Sequence, residues 1–431
     1  MTDNLLRDEW TGLDSAELML LLYERIGRPG QYDDISSNPN KFYLPLARSS
    51  CRVALTFREK KIVAIEPGPA FDVAEWQRVS EEIEKSILTG PIKVGREYSF
   101  SSFRVTGSWR GDHSGVQILP PPHHAPRAPY EMADHPFILE FPVKETDCWP
   151  VTNYRRMREH RKLTFVLNVL LAGHTSLQSN RPAYFWASVP LDNDHQIKWV
   201  QNLQKFFFWL FRRPWTGTRV QPESKWLQKF FFAELDKIVI DKLSPPADEC
   251  LEEVEPEEYY AKVGHDGKGL RVPTDLDESI CCYTALSAEN RAKFDRAAFW
   301  MDMASCQWTI SVSASFAALV SAIESLMERG DTHGFKCPIC GTPCQHEVPG
   351  ATRRFKDFFD TYASGTALRK RRDDMYSLRS GILHGSELMQ LDQDHAFGWD
   401  PPYWNERELH NELWSLTRVA MRNWLKNPPA T

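Results

Sequence analysis

The chain has 431 residues, 42% of them hydrophobic and 26% charged, a balance that supports a buried core and excludes a chain disordered as a whole. Lys and Arg total 52 against 58 Asp and Glu, so the formal charge of −6 excludes a histone-like basic coat and confines any nucleic-acid contact to local patches. As a prior, this length corresponds to two or three domains of roughly 150 residues each.

The start, MTDNLLRDEW, has neither a basic nor an apolar leader segment and is read as non-secretory. Residues 51–66 (CRVALTFREKKIVAIE) predict two strands around a charged turn. Val73, Trp76, Val79, Ile83 and Ile87 predict a helix over 72–88. Short aromatic and β-branched runs at 97–106, 115–119 and 137–143, separated by Gly and Pro clusters, predict further strands. PPPHHAP at 120–126 has the character of a surface loop, and its His123-His124 pair is read as solvent-exposed. A helix is predicted over 154–172, with a strongly basic start from Tyr154 to Lys162 read as a solvated face, a phosphate-binding stripe being the lesser alternative. The segment LQKFFF occurs at 203–208 and 227–232, too short a recurrence for a repeat array. No P-loop, dinucleotide fingerprint or hydrolase elbow occurs in residues 1–245. That part is expected to be an α+β domain with a sensing or recognition role.

Seven acidic residues fall between Asp248 and Glu258, directly after Pro245-Pro246. That composition predicts a solvated acidic linker and lead-in over 246–284. From 285 onward the pattern is helical. Ser287 is a candidate cap for a helix presenting Phe294, Ala297, Ala298, Met301 and Ala304. The uncharged stretch Met303–Ile323 is long enough to span a bilayer, but seven Ser, Thr and Gln residues break its apolar character, so a buried helix in a bundle is expected and no membrane partner. Thr352 precedes Phe355, Phe358, Phe359 and Tyr362 at helical spacing. Thr366 is read as opening a helix through Leu368, Met375, Leu378 and Ile382. Leu409, Leu413, Leu416, Ala420 and Trp424 mark a last helix between Pro401-Pro402 and Pro428-Pro429. Five such helices with short links predict a bundle over 285–431.

Residues 333–346 read HGFKCPICGTPCQH. Two residues between Cys337 and Cys340 let both thiolates face one ion, Cys344 adds a third sulfur, and His346 or His333 completes a tetrahedral shell. Four protein ligands leave no open position, so the expected cofactor is a structural zinc. Three clustered cysteines among an odd total of nine fit metal binding better than a disulfide framework, and a reducing cytoplasmic location is expected.

The most specific segment is ALRKRRDDMYSLRSGILHGSEL (367–388), in which Arg379 and His384 form an Arg-x4-His motif with Ser380 after the arginine. Metal-free RNA cleavage needs a base for the 2′-hydroxyl, an acid for the 5′-oxygen and positive charge beside the phosphorane. Histidine is the side chain that ordinarily titrates near neutral pH, and a guanidinium matches phosphate oxygens. In an ideal helix, residues five apart lie roughly 140° apart around the axis. Either Gly381 and Gly385 loosen the helix, or the two side chains converge across a dimer seam. Between Ala351 and Arg379 there are eight Lys/Arg and four Asp/Glu, a local excess of four positive charges. Arg369, Lys370, Arg371 and Arg372 are candidate contacts to an RNA backbone or equally a solvated helix start, and Tyr376 is a candidate to stack on a base, with packing in the bundle the preferred reading.

The order of these segments resembles the HEPN superfamily (higher eukaryotes and prokaryotes nucleotide-binding), in particular its Apea-like branch. It consists of an apolar helix ending SAIESL at 321–326, the Cys-x-x-Cys insert, a Phe-rich helix, then LRSGILHG at 378–385. The resemblance covers roughly 285–427. It implies a helical bundle that dimerises with paired motifs at a shared cleft, and metal-independent endoribonuclease activity used by toxins and antiviral defence effectors. Carried over by position, Arg379 and His384 are the catalytic pair, Ser380 fills the polar position and Glu324 is the acidic residue of the preceding helix. The expected partners are RNA, a second copy of the chain, and a phage-derived or cellular trigger at the N-terminal domain. The rival reading is a non-catalytic RNA-binding or adaptor protein using the zinc knuckle and the basic helix.

Overall fold

The computed structural model describes residues 4–7, 10, 13–26, 41–45, 52–58, 61–68, 71–88, 90–121, 135–171, 175–176, 239–261, 269–308, 310–328, 331–336, 343–364, 371–393 and 401–430. The His123-His124 pair and both LQKFFF segments lie outside the described residues. The fold is mixed, with antiparallel sheets and a helical C-terminal region. It forms two compact units, one of residues 1–95, 141–160 and 239–242, the other of 96–140, 161–238 and 243–431.

The first unit contains α1 (Ser15–Ile26), the antiparallel sheet β1 (Lys41–Pro45), β2 (Arg52–Arg58) and β3 (Lys61–Pro67), and α2 (Val73–Leu88). The strands predicted within 51–66 and the helix at 72–88 are therefore present. Leu18, Leu21 and Leu22 recur at helical spacing on α1, and Trp76, Val79 and Ile83 do so on α2. Both sets are buried in one core with Val53, Leu55 and Ile65. Asp72 Oδ1 caps α2 by accepting from the Ala74 and Glu75 amides at 2.9 and 3.1 Å.

Next come β4 (Ile92–Ser101), β5 (Trp109–Arg110), β6 (Gln117–Leu119), β7 (His135–Lys144), α3 (Trp149–Leu170), β8 (Thr175–Ser176) and β9 (Val239–Ile240). They form a sheet of order β5-β6-β7-β4-β8, with β9 also on β4. The acidic run falls within the second unit. Ser108 exchanges backbone hydrogen bonds of 2.8 Å with Glu249 and Leu251. β10 (Glu253–Val254) pairs in parallel with β11 (Val272–Pro273), and Leu251, Val254 and Tyr259 are buried. The carboxylates are carried between residues that point inward, which composition alone does not reveal. A Glu-specific protease is therefore expected to leave 248–258 uncut under native conditions; rapid cleavage there would show that this latch is not formed.

Short α4 (Pro256–Ala261) leads to the helical region: α5 (Leu276–Ala285), α6 (Ala288–Gln307), α7 (Val312–Glu324), the hairpin β12 (Asp331–Lys336) and β13 (Pro343–Val348), α8 (Ala351–Tyr362), α9 (Arg372–Leu383), α10 (Gln390–Gln393) and α11 (Pro401–Lys426). The expected core faces of α6 and α11 are buried, as is that of α8 apart from half-buried Tyr362. Ser287 caps α6, its hydroxyl accepting from the Asn290 amide at 3.3 Å. The uncharged stretch 303–323, expected as one helix, is divided between α6 and α7. Ser311 adopts an extended backbone and caps α7 through the Ala314 amide, while Asp392 accepts from the amides of Val312 and Ser313. Ser315 and Ser321 donate to the helix carbonyls of Ala304 and Ala317, so the run is uncharged without being lipid-like. Among the described residues no helix is long and apolar enough to cross a membrane.

Two buried histidines predict an acid-sensitive fold. Ser315 Oγ donates to Ala304, so it accepts from His410 Nε2 at 2.9 Å, and burial among Trp308, Phe316 and Trp414 pushes the His410 pKa down to about 4. In the first unit His160 stacks on Phe141, and burial, followed by the charge of Arg156, pushes it down to about 3. Both return to about 6.5 in the unfolded chain. The folded protein then binds fewer protons than the unfolded one below that value, so the stability is complete above pH 6.5 and is lost as pH falls toward 4. The melting temperature should drop across that window, and His410→Gln should flatten the drop. An unchanged slope in that variant would remove His410 from the account.

Candidate functional site

Glu324 is the last residue of α7, and Tyr376 and Arg379 lie one turn apart on α9. Arg379 Nη2 donates to Glu324 Oε2 at 2.6 Å, and the Tyr376 hydroxyl donates to Oε1 of the same carboxylate at 3.2 Å. The guanidinium carbon lies 5.6 Å from the Tyr376 ring centroid, and Phe355 of α8, fully buried, packs 5.3 Å from that ring. Burial, and then the negative charge of Glu324, push the Tyr376 phenol above its ordinary value. The Arg379 side chain remains 20% exposed and that of Glu324 24%. Arg379 Nε is withdrawn from solvent with no hydrogen-bond partner among the described residues.

His384 caps the C-terminus of α9 and is exposed, and its ring has no hydrogen bond or ion pair among the described residues. Its backbone amide donates to the Ser380 carbonyl at 3.0 Å. Beyond it the chain reverses through Gly385 at φ +71°, with Ser386 N–H on Gly381 O (3.0 Å) and Gly385 N–H on Ile382 O (3.1 Å). That is a Schellman ending, which needs a residue free to take positive φ. Gly381 does not loosen the helix. A Cβ there would lie 2.5 Å from Glu387 Oε2, so the glycine makes room for the Glu387 side chain folded back over the last turn. Arg379 and His384 therefore keep the angular offset of a regular helix within one chain, and Ser380, half-buried, lies between them in sequence.

The structure brings Arg379, Tyr376 and Glu324 together and engages Arg371 and Arg372 elsewhere. Arg371 donates to Glu412 at 2.9 Å and to the Asn405 carbonyl at 2.7 Å, tying α9 to α11. Arg372 is 2% exposed; it pairs with Asp360, donates to the Ala363 carbonyl at 3.0 Å and lies over Phe359. Its guanidinium is committed to the bundle, away from solvent. Arg369 and Lys370 lie outside the described residues. Sequence reasoning did not find Arg354, whose Nη1 donates to the Glu328 carbonyl at 2.8 Å and whose charge acts on Tyr376. The Arg353-Arg354 doublet was the available signal.

Of the expected metal ligands, Cys337 and Cys340 lie outside the described residues, while Cys344 and His346 are on β13. The hairpin register sets His333 opposite His346 and Phe335 opposite Cys344. Among the described residues no group of three or more potential ligands is assembled.

Compared with protein-family models, curated proteins and solved structures, the chain matches none.

Proposed function

We propose that this chain is a metal-independent endoribonuclease of the HEPN type, a toxin or antiviral defence effector acting in the cytoplasm as a homodimer. The observation that carries the reading is a partly open guanidinium, bonded to Glu324 and lying over the Tyr376 ring, together with an exposed imidazole at the end of the same helix whose ring has no partner among the described residues. In the proposed reaction the RNA 2′-oxygen attacks phosphorus and gives up its proton, the bond to the 5′-oxygen breaks, and that oxygen takes a proton. His384 serves the proton transfers and Arg379 faces the charge of the phosphorane. The offset of the two residues around α9 favours a site completed by a second copy, Arg379 of one chain working with the histidine of the other. Exposed Leu383 and Leu388 flank His384 as apolar surface for that contact.

A structural zinc held by Cys337, Cys340, Cys344 and His346 would staple the β12–β13 ribbon and take no part in the chemistry. Residues 1–245 would receive the trigger. Incubating the purified protein with total RNA in EDTA, for times too short to strip zinc, and mapping the new ends tests the reading. Fragments with 2′,3′-cyclic phosphate and 5′-hydroxyl ends are expected; intact RNA would overturn it. One observation favours the non-catalytic rival: Arg379 is already paired with Glu324, as an arginine that merely ties α9 to α7 would be. Binding of RNA without cleavage would decide for that rival.

A further inference from the structure

We infer that Tyr376 is a positioning residue of this site, whose hydroxyl locks the Glu324 carboxylate and whose ring carries the Arg379 guanidinium. Its effect on rate rests on the cleavage proposed above; its effect on orientation rests on geometry alone. An arginine side chain has four rotatable bonds, and a single carboxylate contact leaves a partly exposed guanidinium free to swing. Here Nη2 is held at 2.6 Å by one oxygen of Glu324, and the guanidinium lies over the Tyr376 ring. The second oxygen of Glu324 accepts from Tyr376 at 3.2 Å, which stops the carboxylate from rotating away. Tyr376 is braced in turn by Phe355, so the rigidity of the α8 core reaches the arginine through one ring.

The phenol remains a hydrogen-bond donor across the neutral range, because burial and the neighbouring carboxylate both oppose its ionisation. With Arg379 over the ring and Phe355 against it, Tyr376 is engaged by protein groups.

The test uses the full chain and a single-stranded RNA substrate, comparing wild type with Tyr376→Phe, Glu324→Ala and the double variant. Tyr376→Phe should lower kcat roughly 10–100-fold, the scale on which a small misplacement of a charged group acts, with KM and melting temperature unchanged. Because the hydroxyl works through Glu324, it should cost nothing further in the Glu324→Ala background. Wild-type kcat in folded Tyr376→Phe, or losses that multiply in the double variant, would overturn the inference. A second arm needs no activity: ¹³Cζ-labelled tyrosine is titrated by NMR, and the Tyr376 signal is assigned by its loss in Tyr376→Phe. Its midpoint should move down in Glu324→Ala, and an unmoved midpoint would overturn the contact. If wild type cleaves no RNA, the function reading falls and the NMR arm decides the positioning role by itself.

Discussion

Arg379→Ala and His384→Ala are each expected to reduce RNA cleavage by roughly 10²–10⁴-fold, the range typical of lost proton transfer or lost charge stabilisation. Both variants should keep the wild-type melting temperature and oligomeric state. The structure is what makes this separation of activity from stability available. His384 is exposed at the end of α9 without a side-chain partner among the described residues, and substitutions at such positions usually change stability by less than about 0.5 kcal/mol. Arg379 is paired with Glu324, but both are partly exposed, and ion pairs of that kind contribute about 0–1 kcal/mol. Removal of the arginine leaves a carboxylate that solvent can reach. Truncation of Phe355 or Trp424, fully buried, would instead lower activity and stability together. Wild-type-like cleavage by folded His384→Ala protein would sink the enzyme reading.

Freshly purified, reduced protein should contain about one zinc per chain, and Cys337→Ser or Cys340→Ser should lose it together with thermal stability. The physical reason lies in the hairpin. β12 and β13 form a two-stranded sheet of six-residue strands, and a two-stranded ribbon alone is marginal in water. A metal binding the folded ribbon and not the unfolded chain transfers its binding energy to folding, on the order of 10–16 kcal/mol in zinc-finger peptides. Metal analysis is the direct check, with melting as the second readout. Reduced protein without zinc would remove the cofactor from the account.

Sequence by itself determined those features of this protein whose cause is local. Helical spacing identified the buried faces of α6, α8 and α11 because an amphipathic helix repeats its apolar residues every three or four positions whatever it packs on. The cap at Ser287 and the strands within 51–66 were legible for the same reason, since hydroxyl caps and strand alternation act within a few residues. The Arg-x4-His segment could be found, but not what faces it. Tertiary structure alone decided that Glu324, 55 positions away, meets Arg379, and that Asp392, 80 positions away, closes the start of α7 within a stretch that reads as continuous. It also decided that Arg372, in a run that reads as surface charge, is buried over Phe359, and that the acidic segment after Pro246 is stitched to Ser108. Composition reports how many charges a segment carries. Where each charge goes depends on partners that only folding brings within reach, because a hydrogen bond or an ion pair acts over about 3–4 Å of space regardless of separation along the chain.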